Sequence, residues 1–575
     1  MHRARSGGGP VSDIRATPPS ASEPDPGTEP SVSVAEPKQA PKRVTADPYK
    51  PPPQWQQWQS NEPAAWVVRI RPRQPAGVGV ATLWSALATA LLSAFLLGDG
   101  AGVNLLIVAV PAALGAYFAA RTAGRRLRPW TCVWAAGGVV LLAVPVLRDA
   151  GWPTFLAVVA ALAAGSLALH GGRSWPGVLL GSLGLLGAIG SGMAWGARGL
   201  RERTGSSRGR WGPVVRSAAV AAVLLIVFGA LFAGADAAFA DLLGGLIPDV
   251  SVADAPWRFL LFLLGLVGAL AAAHTAAAPL RWDRLTVRPG RARARWEWAL
   301  PLIVLNLLFA AFIAVQLAVL FGGYDTVLRE TGLTYAEYAR QGFWQLLWAT
   351  LLTLLVIALA LRWAPRGGAR DRTLVHSVLG TLCLLTLVVV ASALRRLDLY
   401  VDAYGLTRLR VSVAAMELWL GLVIVLIMAA GVFGVKWLPR AVAASAAVAV
   451  LAFGLLSPDG MVAERNVQRY ESTGKIDVQY FQELSADAVP VLDRLPEPLR
   501  SCALKGIAAN LEGTHKPWYA TSWGEWRARR ILAERKVDTF RYACADQGLP
   551  GMERDQYDED AQFGQEGEIS PSDAP

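Results

Sequence analysis

The sequence predicts an all-α, polytopic transmembrane helix bundle of about 11 to 12 spans, with one candidate re-entrant segment and a small extramembrane helical C-terminal domain. Three observations predict it. The 575 residues are 53% hydrophobic and only 17% charged, too apolar a mixture for one water-soluble core of that length. Uninterrupted apolar runs of about 20 residues, the length needed to cross the hydrocarbon layer as a helix, recur from residue 77 to residue 456. The arginines fall in the short gaps between these runs rather than on one polar domain, so the net charge of +11 reads as loop charge in a membrane protein and not as a nucleic-acid surface.

Residues 1 to 62 are rich in Pro, Ser, Glu and Ala and lack periodicity, which predicts a disordered, Pro-rich N-terminal tail. They hold no apolar h-region, so no cleavable signal peptide is expected and the first span serves as the insertion signal. The bundle occupies 63–456. Its candidate spans are 77–97, 102–120, 129–147, 152–170, 176–195, 217–240, 258–279, 298–321, 343–361, 374–394, 411–434 and 439–456. Arginine sets the orientation. Arg198 to Arg210, Arg281 to Arg295, Arg362 to Arg372, and Lys436 with Arg440 read as inside. Asp241 to Asp254, Gly322 to Gln341, and Leu397 to Thr407 then read as outside, as does the C-terminal region. Only Arg395, Arg396, Arg408 and Arg410 fall on the wrong side.

The first half breaks this parity. Arg69 to Arg73, Arg121 to Arg128 and Arg198 to Arg210 all read as inside, yet an odd number of runs separates the second group from the third. One run is therefore not a simple span. The candidate is 176–195, where Gly177, Gly181, Gly184, Gly187, Gly190 and Gly192 permit either close helix packing or a re-entrant hairpin buried in protein.

Residues 457–545 carry moderate periodicity, with helix-favouring stretches near 461–472, 476–485 and 524–538 and turn signals at Pro458, Gly474 and Pro496, and predict a small helical domain. Cys502 and Cys544 both fall there; a disulfide between them suits an oxidising compartment, and two unpaired thiols are the alternative. From 546 to 575 the chain is acidic, without an apolar face, and predicts a disordered tail.

The stretch Gly332-Leu-Thr-Tyr-Ala-Glu-Tyr-Ala-Arg-Gln-Gly-Phe343, the stretch Tyr404 to Arg410, and Asn466, Arg469, Asp477, Tyr480, Leu484, Asp487, Ala488 and Pro490 together resemble the bacterial membrane proteins grouped as domain of unknown function 4173, a relative of 4153. The resemblance runs from the first span to about residue 495, with its specific motifs in the last third, and departs from the family pattern at Phe481 and at Gly460 to Val462. It implies a multi-pass membrane protein and supplies no catalytic residue.

The predicted topology gathers all three motif stretches on the outer face. Tyr335, Glu337, Tyr338, Arg340, Asp398, Asp402, Tyr404, Arg408 and Arg410 form a candidate functional cluster, whose plain alternative is a short interfacial helix with aromatics down and charges up. Glu417 and Asp236 are the candidate intramembrane groups, with Arg410 spaced to reach Glu417. Asn306, Gln316, His274 and His376 read as helix-packing or interfacial polar groups. No phosphate loop, H-E-x-x-H, G-x-S-x-G or zinc-spaced cysteine pair is present, so no catalytic motif, metal site or cofactor is expected.

The expected function is that of a bacterial plasma-membrane protein with a cytoplasmic N-terminal tail and an extracytoplasmic C-terminal domain, acting in envelope sensing, scaffolding or assistance to a partner. Its expected partners are the lipid bilayer and a membrane or envelope protein. A transporter and a membrane-embedded enzyme acting on a lipid-linked substrate, with Asp325, Glu337 or Asp402 as acid and base, are the alternatives. The excess of Arg over Lys, with plentiful Ala, Gly and Trp, points to a GC-rich bacterial genome.

Overall fold

The computed structural model describes residues 65–70, 75, 77–126, 128–203, scattered positions between 217 and 236, and 255–285, 294–322, 343–363, 368–514, 516–538 and 544. The chain divides into two units, Met1–Pro63 and Ala64–Pro575. The expected tails at 1–62 and 546–575 and most of the candidate span 217–240 lie outside the described residues.

Every regular element among the described residues is helical. After α1 (Ala65–Ile70) come α2 (Val80–Leu96), α3 (Val103–Thr122), α4 (Pro129–Leu141) continued by α5 (Ala143–Leu147), and α6 (Gly151–His170). The glycine-rich segment forms α7 (Trp175–Ser182), α8 (Gly184–Gly187) and α9 (Ile189–Arg203). Then follow α10 (Ala255–Ala277), α11 (Arg295–Gly322), α12 (Phe343–Trp363), α13 (Ala369–Tyr404), α14 (Arg408–Phe433) and α15 (Leu438–Leu455). The C-terminal helices are α16 (Pro458–Thr473), α17 (Val478–Gln482), α18 (Val489–Leu492), α19 (Leu499–Gly513) and α20 (Trp523–Glu534).

Nine helices among the described residues are long and apolar enough to cross a membrane, α4 and α5 together counting as one, and the 17-residue α2 is a shorter apolar helix. The protein is a polytopic membrane protein. The bundle has three groups: α2, α3, α9 and α10; α4 to α7 with α15; and α11 to α14. Helix α6 packs on α10 and α14 on α15, which joins them.

Contacts between loops sort the helix ends onto two faces. On one face, the Arg125 guanidinium donates to the Ala276 carbonyl, that of Arg203 to the Val78 carbonyl, and Arg440 Nε to the Gly172 carbonyl at 2.8 Å. The Arg281 amide donates to the Ile70 carbonyl at 3.1 Å. Asp283 Oδ1 accepts from the amides of Arg173 and Ser174 and from Ser174 Oγ. This face is rich in arginine. The opposite face gathers the turns at 97–102, 148–150 and 405–407 beneath the C-terminal helices: Tyr519 Oη donates to Asp99 Oδ2 at 2.9 Å, and the Ala486 amide to Asp149 Oδ2 at 3.3 Å.

The glycine-rich segment begins and ends on the arginine-rich face. Its entry is held by Asp283 at Ser174, and its exit by Val78 at Gly199 and Arg203. Its turn is pinned by Ser166, whose hydroxyl donates to the Gly181 carbonyl at 2.5 Å and accepts from the Leu185 amide at 3.2 Å. Ser166 lies four residues before the end of α6, so the hairpin turns about 6 Å below that end. Helix α9 then returns along the last turns of α10, where Gly192 lies so close to Ala271 that a Cβ would sit 2.9 Å from its backbone. Gly181, Gly184 and Gly192 face the protein while Leu179, Leu183 and Leu186 remain exposed, so the irregular backbone of the turn is satisfied from one side, by Ser166. The segment 176–195 thus begins and ends on one face, the course that the broken parity of the arginines requires.

Two other elements differ from expectation. The span predicted at 374–394 is the 36-residue α13, which continues helical through Leu397–Tyr404 where a loop was expected. Its last turns leave the apolar run and pack against α16, and it ends at Gly405, whose φ of 81° a side chain would strain. Helix α19 was not among the stretches expected, although Leu499, Cys502, Ala503, Ile507 and Leu511 recur at helical spacing and are all buried.

Candidate functional site

The turn between α13 and α14 is clamped from above. Thr407 caps α14, its hydroxyl accepting from the Arg410 amide at 3.4 Å. Arg408 then turns upward: its amide donates to Tyr480 Oη at 2.8 Å, Nε and Nη2 form a bidentate pair with the two Asp459 oxygens at 2.7 Å each, and Nη2 also donates to the Glu483 carbonyl at 2.8 Å. Asp459 sits in the first turn of α16, behind the cap Ser457, and accepts from the Ser485 amide at 2.8 Å. Burial opposes the charge on Asp459, but the Arg408 guanidinium and Ser485 outweigh it and hold the carboxyl below the usual range.

Beside this pair, Asn466 reads the backbone of Leu406 in both directions, accepting from its amide at 2.7 Å and donating to its carbonyl at 2.8 Å. Asp477 caps α17 through the Tyr480 amide at 3.0 Å, which positions the Tyr480 hydroxyl over Arg408. Two of the three resemblance stretches are thus in direct contact, and their contact is the clamp.

A second polar cluster joins the α5–α6 turn to the C-terminal helices. Asp487 accepts from Ser457 Oγ at 2.9 Å, and Asp149 from the Ala486 amide. Glu525, 1% exposed, is neutralised by Lys516 at 2.9 Å and Arg529 at 2.8 Å. No cation pairs with Asp149 or Asp487 among the described residues. Burial pushes both carboxyls above their ordinary value; Lys516 moderates the effect at Asp149, and Glu525 and Asp459 add to it. Among the described residues no group of three or more His, Cys, Asp or Glu side chains is placed to hold a metal ion.

Between the end of α13 and α16 lies a half-open polar groove of about 410 Å³, lined by Asp402, Arg465, Asn466, Gln468, Arg469 and Ser472 among others. Asp402 pairs with Arg465 at 2.9 Å, and Arg469 Nη2 donates to the Ala403 carbonyl at 2.7 Å. Of the expected outer cluster, the structure brings Asp402, Tyr404, Arg408 and Arg410 to this region. Tyr404 packs edge-on against Tyr400, and the Arg410 guanidinium lies 4.1 Å over the Tyr400 ring while donating to the Gly405 carbonyl. Asp398 pairs locally with Arg395 at 3.0 Å. Tyr335, Glu337, Tyr338 and Arg340 lie outside the described residues.

Arg410 does not reach Glu417, as the spacing suggested. Glu417 is 1% exposed, nine residues into α14, and its Oε1 accepts from Thr350 Oγ1 at 3.1 Å, while Oε2 has no hydrogen-bond partner among the described residues. Asp236 is exposed, at the end of the described positions of its segment, and its amide donates to the Phe232 carbonyl at 2.9 Å. Asn306 Nδ2 donates to the Val378 carbonyl at 3.0 Å, and His274 lies 3.3 Å from Ser191 Oγ, which makes both of them helix-packing contacts. His376 is exposed near the start of α13. Cys502 and Cys544 are joined in a disulfide that closes a sequence separation of 42 residues.

Reasoning from sequence did not single out Asp149, Asp459 or Glu525 as site residues. The available signal for Asp149 was the charged pair Arg148-Asp149 wedged between two apolar runs; for Asp459 it was the Ser-Pro-Asp start of a helix.

No curated protein and no solved structure matches the chain. A family model described as Domain of unknown function (DUF4153) matches residues 135–495. It is the relative of the family that the motifs resemble. The matched stretch begins in α4, takes in the re-entrant hairpin, and includes Arg408, Asp459, Asn466, Tyr480 and Asp487, so the whole clamp lies within it. Covering well over half of the chain, that match makes the protein a member of the DUF4153 family, a domain of unknown function.

Proposed function

We propose that this chain is a bacterial plasma-membrane protein that senses, scaffolds or assists a partner of the cell envelope, with 457–545 as a small extracytoplasmic helical domain. The observation that carries this reading is the clamp. Helix α16 forms one wall of the polar groove and is bound at Asp459 and Asn466 to the turn joining two spans. Whatever displaces α16 must therefore strain α13 and α14, which suits a protein that passes on occupancy of its outer face. Two features support the orientation: the arginine-rich face matches a cytoplasmic side, and the Cys502–Cys544 bond suits an oxidising compartment. The narrower kinship with family 4173 rests on the three motif stretches.

The test is photo-crosslinking in intact cells from a reactive side chain placed at Gln468. We expect a discrete adduct with an envelope component that is lost when Arg408→Gln opens the clamp. If no adduct forms in any growth condition, this reading fails.

A transporter is the second reading, favoured by one observation: Glu417 lies within α14 with no cation beside it among the described residues. It requires that Glu417→Gln, which preserves the bond to Thr350, abolish proton- or ion-coupled uptake. Unchanged flux of every tested solute removes it. A membrane-embedded enzyme has less support, since Asp402 is paired with Arg465.

A further inference from the structure

We infer that the stretch Trp518–Arg530 is an interfacial element that lies in the lipid headgroup layer, so that the C-terminal helices rest on the bilayer rather than standing in water. Its partner is the membrane surface itself. Helix α20 is two-faced. Gly524, Glu525 and Ala528 are buried against the C-terminal core, whereas Trp523, Trp526, Arg527 and Arg530 share the outward face. Trp523 and Trp526 are 58% and 46% exposed, and their rings stack at 4.7 Å. Trp518, just upstream, is 74% exposed. Three large aromatic rings left open in one short stretch form an apolar surface that water does not favour.

Contacts fix the height of this surface relative to the bundle. Gly524 adjoins the backbone of Asp149, immediately before α6. The first turn of α6 presents its own exposed, stacked pair, Trp152 and Phe155, at 5.5 Å. Tyr519 is bonded to Asp99, and its carbonyl lies against Gly102 in the α2–α3 turn. Trp257, exposed in the first turn of α10, abuts Gly98 in the same turn. The C-terminal tryptophans are thus level with tryptophans that open two spans. Exposed Trp84, Trp130 and Trp296 mark helix ends at the arginine-rich face in the same way, and exposed Trp175 marks the entry of the hairpin there. Paired aromatic girdles of this kind sit at the two membrane–water boundaries. The outward surface of α20 continues the upper girdle.

Its charge fits as well. Arg527 and Arg530 extend from the tryptophan face, Arg530 lying 6.0 Å over the Trp526 ring and 3.2 Å from Glu534. Amphipathic helices with aromatic and basic residues so arranged lie in the headgroup plane and favour anionic lipid.

The test uses the full chain in vesicles of phosphatidylcholine and phosphatidylglycerol that carry a photoreactive group at headgroup depth, with adducts mapped by peptide mass spectrometry. We expect adducts on the peptide containing Trp518 to Arg530 at a yield comparable to that containing Trp152 and Phe155, and well above the groove peptide containing Gln468 to Thr473. In the Trp523→Ser, Trp526→Ser variant the first adduct is lost and the second persists, which shows that the bundle is intact. A yield on 518–530 no higher than on the groove peptide overturns the inference. So does protection of 518–530 that disappears on dilution of the protein, which would make the surface a contact between copies.

Discussion

Arg408 makes three side-chain hydrogen bonds across the clamp, and its partner Asp459 is almost fully withdrawn from water, with its side chain 6% exposed. Replacing Arg408 by Gln leaves that carboxylate buried without its cation. We expect a loss of about 3 kcal/mol, below what a fully buried pair would give at its upper end because Arg408 itself is half exposed. Thermal unfolding of the purified protein in detergent measures it. Arg408→Lys should recover only part of the loss, since an ammonium cannot make the two parallel bonds. Gly405→Ala should cost about 1 to 3 kcal/mol by the same measurement, because its φ of 81° is strained for alanine and the new Cβ would lie 2.8 Å from Asn466 Oδ1. At this scale the sequence was partly legible. Arg408, Asn466 and Tyr480 stood out through a resemblance, whereas Asp459 did not, because nothing local distinguishes a helix-capping acid from one aimed at a guanidinium on another helix.

Asp149 and Asp487 lie where the C-terminal helices dock on the α5–α6 turn, and the expected outcome is that their titration makes docking pH-dependent. Both carboxyls have folded pKa values above the ordinary one, so the docked state holds protons that the undocked state has released. Docking therefore strengthens as pH falls toward the ordinary carboxylate range and weakens as it rises through the folded values. Asp459 has the opposite sign, its contribution being lost only as pH falls below the ordinary range. Limited proteolysis of the C-terminal helices in membranes, between about pH 5 and 8, should show greater resistance at the acid end. Asp487→Asn should raise resistance at neutral pH and flatten the profile. An unchanged profile would mean that neither carboxyl governs docking. The helices themselves were mostly legible from periodicity. The turn that Asp149 occupies was legible only as a gap, since its bond to the Ala486 amide spans a sequence separation of 337 residues.

For the molecule as a whole, the re-entrant hairpin decides which way the chain faces. Arg173 and Arg201 flank it and lie on one face, so Arg173→Cys and Arg201→Cys, each in a background lacking Cys132 and Cys383, should react with a membrane-impermeant thiol reagent from the same side. Labelling from opposite sides would make 176–195 a true span. Ser472→Cys, in the groove, should label from the other side. The membrane class and most of the spans were determined by the sequence alone. In lipid, a segment must satisfy its own backbone, and its length and apolarity are properties that each stretch carries by itself. The same reasoning left two readings of the glycines, close packing or a turn back, because both need small residues. Tertiary structure chose between them through Ser166, Val78 and Ala271, and it also joined Arg408 to Asp459 and laid the tryptophans of α20 level with those of the spans. These pairings join segments distant in sequence, and the free energy that selects them exists only once the helices are packed.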